Sequence, residues 1–268
     1  MLSFWPSDVV LIVVQAGLVL GPRPTAPSFL LRLRTGAWAW ILPISLGGTI
    51  ALVASFPSLA PAFTYLSLVA IPVLAIPSLA IPSLAPWRGA AFGVVAAAAL
   101  FALGWSAQGS LWGQGAALAL TALSCTTLAS YLCAVAPRPL LKVAIVVMAV
   151  LDAYLVFGQL LEAPNNAINA ATPGSGLPQL QFAAFGSALV GYGDLFIAAT
   201  LGGVLVSRSL RLRGAVVVLA CSAVFDLLFL VVGTLPATVP VAAALLILEV
   251  RARRAKPCAR ALTREAPA

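Results

Sequence analysis

The sequence predicts an all-α, polytopic integral membrane protein with about nine transmembrane helices. The first reason is composition: 62% of the 268 residues are hydrophobic and 8% are charged, whereas soluble domains carry about 25% charged residues. The second is the length of the apolar runs, many of which reach the roughly 20 residues that a membrane-spanning helix needs. These runs are continuous and do not alternate in polarity, which favours helices over a β-barrel.

The apolar runs divide into nine segments. The first is short and begins beside Pro6 and Asp8. The third contains Pro72, Pro77 and Pro82, and because proline removes a backbone hydrogen bond and kinks a helix, we expect this segment to be bent or broken. The nine segments lie at about residues 5–21, 36–55, 60–82, 89–107, 111–135, 140–161, 181–205, 214–233 and 235–250.

The basic residues predict the orientation of these helices. With nine segments, all 15 Lys and Arg residues fall on the connections of one side, or after the last segment. Basic loops face the cytoplasm, so we expect the N-terminus outside and the C-terminus in the cytoplasm. The net charge of +8 then needs no nucleic-acid partner. The basic residues are Arg23, Arg32, Arg34, Arg88, Arg138, Lys142, Arg208, Arg211, Arg213, Arg251, Arg253, Arg254, Lys256, Arg260 and Arg264.

Three acidic residues, Asp152, Asp194 and Asp226, lie in the middle of apolar segments. A charged side chain at the bilayer centre costs about 2.5–3.5 kcal/mol on insertion scales, and all the basic residues lie in loops. A single such residue is explained equally well by a neutral Asp that hydrogen-bonds a neighbouring helix. Three in one chain favour a function.

The depths of these acids are comparable. Asp152 follows Lys142 by 10 residues and Asp194 precedes Arg208 by 14, which corresponds to about 15 and 21 Å from the cytoplasmic loops at ~1.5 Å per residue. The sixth and seventh helices are consecutive and antiparallel, so we expect these two carboxyls to face each other near mid-membrane. Asp226 has a similar depth, so depth alone does not select the pair.

Local sequence does select a pair. Asp194 closes the run Gly191-Tyr192-Gly193-Asp194, in which glycine permits close backbone approach, local unwinding and access for water. The ninth segment opens with Leu235-Pro236-Ala237-Thr238-Val239-Pro240. The two prolines there interrupt a regular helix and leave backbone groups free.

Together these features resemble the presenilin and signal peptide peptidase family of intramembrane aspartyl proteases. Asp152-Ala153-Tyr154-Leu155-Val156-Phe157-Gly158 is similar to the family's first catalytic segment, particularly in the signal peptide peptidase branch. Leu189-Val190-Gly191-Tyr192-Gly193-Asp194 matches the GxGD segment of the second aspartate, and Pro236-Ala237-Thr238 stands where the family has Pro-Ala-Leu. The resemblance is specific over about residues 140–240. Leu151 replaces the tyrosine usual before the first aspartate, and Thr238 replaces the leucine of Pro-Ala-Leu.

The resemblance implies a presenilin-like bundle and an aspartic endopeptidase that hydrolyses transmembrane segments or remnant signal peptides. Its chemistry needs no metal or cofactor, since two neighbouring carboxyls share one proton and act as base and acid. The chain has no histidine, and its four cysteines form no CxxC pair, which argues against a zinc site. The implied catalytic residues are Asp152 and Asp194, the active-site motif is Gly191, Tyr192 and Gly193, and the implied substrate-binding residues are Pro236, Ala237 and Thr238.

The predicted organisation has three parts. Residues 1–135 would form a scaffold of helices 1–5, residues 136–250 the catalytic helices 6–9, and residues 251–268 a basic cytoplasmic tail near anionic headgroups. The longest outside connection, about 162–180, is polar and rich in turn residues. Short loops and an Ala- and Arg-rich composition suggest a prokaryotic plasma membrane. The expected partners are the bilayer and transmembrane peptide substrates; the natural substrate and the oligomeric state are not indicated.

Three alternatives remain open at this point. A prepilin-peptidase-like aspartyl protease would share the GxGD run, but that family usually has a basic residue soon after it, where this chain has Leu195-Phe196-Ile197-Ala198. A proton-coupled transporter would use the three aspartates as relay sites and is expected to have inverted repeats, which the sequence does not show. An inactive family member would act as a binding scaffold.

Overall fold

The structure is a computed structural model that describes residues 3–80 and 85–264. Within these ranges the chain is mostly helical, and six helical stretches are long and apolar enough to cross a membrane. We number the helices α1 to α11 and the strands β1 and β2 in chain order. The helices are α1 Phe4–Leu18, α2 Ser28–Leu31, α3 Ile41–Ser55, α4 Ala60–Leu79, α5 Pro86–Ser106, α6 Leu111–Val135, α7 Arg138–Phe157, α8 Glu162–Ala170, α9 Tyr192–Val204, α10 Arg208–Asp226 and α11 Thr238–Arg264; the strands are β1 Phe182–Phe185 and β2 Ala188–Gly191.

Among the described residues, each of the nine predicted apolar segments overlaps one helix of 13 residues or more, but not all of these helices are of spanning length. The six stretches of spanning length are Gly36–Ser55, Pro57–Leu79, Trp87–Ser106, Leu111–Val135, Arg138–Phe157 and Arg208–Leu230. Helices α1 and α9 are apolar but have 15 and 13 residues. Helix α11 has 27 residues and continues into the basic stretch. A multi-pass helical membrane protein therefore agrees with the structure.

Local sequence explains where several helices begin. The side chains of Ser110 and Ser207 accept hydrogen bonds from the backbone N–H groups of Gly113 and Leu210, both at 3.2 Å, and so cap α6 and α10. Serine is favoured at this position because its oxygen satisfies an N–H group that has no partner inside the helix. Helices α5 and α7 instead carry a proline in the first turn, where the missing N–H costs nothing.

The proline-rich third segment is not broken where we expected. Helix α4 continues through Pro72 and Pro77 and ends at Leu79. Pro82 lies outside the described residues, so the expectation for that position is not addressed. Helix α4 packs against both α5 and α6, and close packing offsets the hydrogen bonds that the two prolines remove. At Gly93 of α5 an added Cβ would lie 2.6 Å from the Ile76 carbonyl oxygen, so glycine is required for this approach.

The seventh predicted segment, 181–205, is helical only in its second half, which corrects the prediction of a single helix there. Strands β1 and β2 pair antiparallel, with Phe185 opposite Ala188, so Gly186 and Ser187 form a two-residue turn. Gly186 has φ +61°, which suits the first central position of a type II′ turn. The turn is fixed from two sides, because Gln114 of α6 accepts from Gly186 N–H at 2.7 Å and Ser7 of α1 accepts from Ser187 N–H at 3.2 Å.

One connection also differs from the prediction. The polar stretch 162–180 contains a regular helix, α8, rather than only turns. The basic stretch predicted as a tail at 251–268 begins inside helix α11, which the structure describes as far as Arg264. Its residues after position 249 include several Arg and Lys residues, and such residues are favourable at a helix C-terminus because they offset the helix dipole.

Helix α9 lies at the centre of the fold. All ten residues of Leu195–Val204 are buried, and α1, α6, α7 and α11 all contact this helix. A helix that is apolar all round is one that neighbours surround. Small residues permit this packing: an added Cβ on Gly202 would clash with the backbone of Val19, and one on Gly203 would lie 2.5 Å from Cys133 Sγ. The fold therefore encloses the helix that begins with the GxGD run.

Candidate active site

Asp152 lies in the last two turns of α7 and is buried, with 6% of its surface exposed. Its Oδ2 accepts a hydrogen bond from the Thr238 hydroxyl at 2.6 Å. Thr238 is the first residue of α11 and is 1% exposed. The first of the two predicted catalytic residues is therefore in contact with a residue that we predicted to bind substrate.

Asp194 is the third residue of α9 and is only partly buried. Its Oδ2 accepts a hydrogen bond from Gly191 N–H at 3.1 Å. This is the bond of a capping box in which the side chain of the third helical residue accepts from the backbone N–H of the N-cap residue. Gly191 ends β2, and an added Cβ there would lie 3.0 Å from Asp194 Oδ2. The glycine thus leaves room for the carboxyl to fold back on the end of the strand, and the helix N-terminus favours negative charge at this point.

Helix α7, which carries Asp152, packs against α9, which carries Asp194. Asp152 is close enough to act electrostatically on Asp194. Gly193 lies at the contact, since an added Cβ would be 3.3 Å from Cε of Met148, which precedes Asp152 by one helical turn. The structure therefore places the predicted pair at one helix–helix contact, with the second glycine of the motif against α7.

Tyr192, the middle residue of the motif, points to α6 instead. Its hydroxyl accepts from Ser124 Oγ at 3.2 Å, and its carbonyl oxygen accepts from Cys125 Sγ at 3.8 Å. These contacts tie the start of α9 to the central part of α6. Tyr192 is therefore placed to hold the position of the motif, and Gly191 and Gly193 are the members that face Asp194 and α7.

The Pro236-Ala237-Thr238 segment is held by a residue that the sequence analysis did not single out. Gln15 of α1 is buried, its Nε2 donates to the Ala237 carbonyl oxygen at 3.1 Å, and its Oε1 accepts from Ser222 of α10 at 3.2 Å. A glutamine inside an apolar segment is a visible signal, since a buried amide needs hydrogen-bond partners. The start of α11 is thus linked to α1 and α10.

Asp226 does not join the pair. It is the last residue of α10 and lies beside Asp8 of α1, which acts on it electrostatically. Asp8 is 9% exposed, and its Oδ2 is buried with no hydrogen-bond partner among the described residues. In the sequence, Asp8 stands out only as a residue near a proline. The structure thus separates the intramembrane acids into two groups.

A cavity of about 580 Å³ lies next to the motif. Its walls come mainly from apolar residues of α3, α4 and α6, together with Met148 of α7 and Tyr192, Gly193 and Phe196 of α9. The cavity therefore reaches the contact between Gly193 and Met148. Gly193 directly precedes Asp194 in the chain, and Met148 precedes Asp152 by about one helical turn. An apolar space of this size is large enough to hold several side chains of a second molecule.

No protein-family model, curated protein or solved structure matches this chain. What supports a function is therefore its own motifs and geometry. Two carboxyls lie on helices that pack against each other, and each has a hydrogen-bond donor. Thr238 and Gly191 supply those two donors.

Proposed function

We propose that this protein is an intramembrane aspartyl endopeptidase, similar to the presenilin and signal peptide peptidase family, with Asp152 and Asp194 as its catalytic pair. The observation that carries the proposal is the packing of α7, which bears Asp152, against α9, which begins with the GxGD run and bears Asp194. Substrates would be transmembrane segments or remnant signal peptides. The chemistry would need no metal or cofactor.

The reaction follows from what two carboxyls and a water molecule can do. Two nearby carboxyls cannot both ionise cheaply, so together they hold one proton. The ionised carboxylate takes a proton from water as the water oxygen attacks the peptide carbonyl carbon, and the protonated carboxyl gives its proton to the carbonyl oxygen. The carboxyl that took a proton from water then gives it to the amide nitrogen, the C–N bond breaks, and the other carboxyl recovers its proton from the former carbonyl oxygen. The pair ends with one shared proton, as it began.

The cavity supports a route for the substrate. A transmembrane segment is apolar, and the walls contributed by α3, α4 and α6 are mainly apolar. The cavity is lined by Gly193, the neighbour of Asp194 in the chain, and by Met148, one helical turn before Asp152, while the aspartates themselves lie outside its lining. We place the substrate in this space, with its scissile bond displaced towards Asp152 and Asp194. The substrate helix must unwind there, because the peptide bonds of a regular helix are hidden within it.

Nine membrane spans with the N-terminus outside are part of the proposal. They are supported by the one-sided basic residues and by the nine helices that lie in the nine apolar segments. Helices α1 and α9, at 15 and 13 residues, are shorter than the roughly 20 that cross a bilayer. The hairpin before α9 would account for the remaining depth of that span. A prokaryotic plasma membrane is the proposed location.

A proton-coupled transporter is the second candidate function, and one observation favours it. Asp8 and Asp226 form a second acidic pair between α1 and α10, and two such pairs are the parts of a proton relay. The packing of α7 against α9 fits a prepilin-peptidase-like protease as well, and the apolar run Leu195-Phe196-Ile197-Ala198 after the GxGD is what argues against that family. Proton uptake by liposomes that contain the protein, under an imposed pH gradient and without peptide, would support the transporter.

The test of the protease proposal uses the purified full-length protein and a synthetic transmembrane peptide. Cleavage is measured by mass spectrometry of the products, with and without a transition-state analogue of aspartyl proteases. We expect cleavage that the analogue blocks and that is lost in Asp152→Asn. Products that persist in Asp152→Asn at the same rate would show a contaminating protease and overturn the assignment.

A further inference from the structure

The hydrogen bonds of the two aspartates differ in kind. The Thr238 hydroxyl lies 2.6 Å from Asp152 Oδ2, within the 2.5–2.7 Å that a hydroxyl adopts when it donates to an ionised oxygen. Gly191 N–H lies 3.1 Å from Asp194 Oδ2, within the 2.7–3.2 Å of an ordinary N–H···O bond. The pair is therefore not symmetric: Asp152 has a short hydroxyl donor, whereas Asp194 has an amide donor of ordinary length and the start of α9, whose dipole contributes less than a hydrogen bond to an ionised group.

The position of Thr238 is fixed by contacts on both sides of it. Gln15 holds the carbonyl oxygen of Ala237, the residue before it. Farther along α11, Glu249 forms an ion pair with Lys142 of α7. Lys142 precedes Asp152 by 10 residues and Glu249 follows Thr238 by 11, so two contacts about three turns apart set the register of these antiparallel helices.

We propose that Thr238 is a positioning residue that keeps Asp152 as the ionised member of the pair, so that Asp152 is the general base and Asp194 the general acid. This inference rests on the proposed protease function. A leucine, which the resemblance places at this position, has no donor, so the assignment follows from this chain's own residue. Asp152 takes the proton of the attacking water and later gives it to the leaving nitrogen; Asp194 gives its proton to the carbonyl oxygen and recovers it when the C–N bond breaks.

The experiment compares the pH dependence of kcat/KM for three variants of the full-length protein in liposomes, with one synthetic transmembrane peptide. Thr238→Val keeps the shape and removes the donor, and Thr238→Ser keeps the donor. Thr200→Val is the matched control, because Thr200 is also buried but its hydroxyl donates at 2.9 Å to the Phe196 carbonyl of its own helix. A loss of packing alone would lower the rate at all pH values without moving the profile.

We expect the acid limb of the Thr238→Val profile to move to higher pH by about one unit, since a hydrogen bond to an ionised group favours that group's charged form. On that limb cleavage would fall about tenfold at a given pH. Thr238→Ser and Thr200→Val should keep the limb of the unmodified protein. If Thr238→Val does not fold, Thr238→Ala, which also lacks the donor, gives the same comparison.

Two results would overturn the inference alone. An acid limb that does not move would show that Thr238 does not act on the ionisation of Asp152. A limb that moves to lower pH would show that Asp152 is the protonated member and donates to Thr238 Oγ1. If the unmodified protein does not cleave the peptide at any pH, the protease proposal itself fails, and this inference fails with it.

Discussion

At the scale of single residues, the aspartates can be distinguished by replacement with asparagine, which keeps the side-chain shape and removes the titrating proton. Asp152 and Asp194 have separate tasks in one reaction, so we expect either change to lower cleavage by more than about a thousandfold, and the double change to be no worse. The measurement is the initial cleavage rate at matched amounts of inserted protein.

Asp226→Asn is the control in this series, because Asp226 lies beside Asp8 and not at the α7–α9 contact. It should retain most of the activity, since a protonated Asp and an Asn have nearly the same shape. Loss of cleavage in Asp226→Asn together with turnover in Asp152→Asn would mean that the wrong pair is assigned. Equal loss of proton transport in all three variants would favour the relay transporter.

Gly193 tests the close approach of α9 to α7. A first added carbon already lies 3.3 Å from Met148 Cε, and the branched side chain of valine would push α9 away from α7. We expect Gly193→Val to lower cleavage at least tenfold while insertion is unchanged, because a shift of about 1 Å can cost a hundredfold in rate. Cleavage is compared with the amount of folded protein measured by size-exclusion chromatography.

The matched control for this change is Gly17→Val. Gly17 is also a helix residue, but an added Cβ there meets nothing within 4 Å. The same substitution should therefore leave cleavage close to that of the unmodified protein. Full activity of Gly193→Val would show that the GxGD run does not set the distance between the two helices.

The sequence is informative about these residues where chemistry and position coincide. Acidic residues in apolar segments are costly, so Asp152 and Asp194 stand out from the pattern of residue types alone. Gln15 also stands out as a polar amide in an apolar segment, but its partners, Ala237 and Ser222, lie more than 200 positions away in the chain. A single sequence does not indicate such pairings, because they depend on how the helices pack.

At the scale of elements, the ion pair between Lys142 and Glu249 joins α7 to α11. Each of these side chains is about one-third exposed, so we expect a modest contribution of about 1 kcal/mol or less. Lys142→Glu places two like charges together and should lower cleavage a few-fold, because the Asp152–Thr238 contact lies on the same helix pair. The double change Lys142→Glu, Glu249→Lys should restore it.

The control for the charge reversal is Arg253→Glu, which changes an exposed basic residue of α11 at the same side of the bundle. It alters net charge equally and should leave cleavage unchanged. Thermal unfolding of the purified variants gives an independent measure of the same coupling. A double variant no better than Lys142→Glu would show that the ion pair does not couple α7 to α11.

The elements also show how far an apolar pattern predicts structure. Residues 181–205 are mainly apolar, so the pattern favours one long helix. The Gly186-Ser187 pair between two four-residue apolar runs is typical of a hairpin turn. The chain forms that hairpin here, although a single helix over the whole range would be long enough to span the membrane. Helix α4 shows the opposite case, since Pro72 and Pro77 remain inside a helix that neighbouring helices support.

At the scale of the whole molecule, the composition predicts a multi-pass helical protein, and the structure agrees. The cavity has no signal in the sequence. Its walls combine residues from α3, α4, α6, α7 and α9, and a space of this kind exists only once the helices are packed. Residue types therefore indicate the chemistry of the site, while the shape that would admit a substrate depends on the arrangement of the bundle.

The orientation of the molecule in the membrane is the last prediction, and it rests on the one-sided basic residues. Moving a Lys or Arg to the outside is disfavoured in short loops, so reporter fusions after Arg34, Lys142, Arg213 and Arg264 should all report the cytoplasm. A fusion near Asn169, on α8, should report the outside. The measurement pairs alkaline phosphatase, active outside, with green fluorescent protein, fluorescent in the cytoplasm. An outside signal at Lys142 would contradict the nine-span arrangement, since one span more or fewer before α7 reverses the face from which Asp152 is reached.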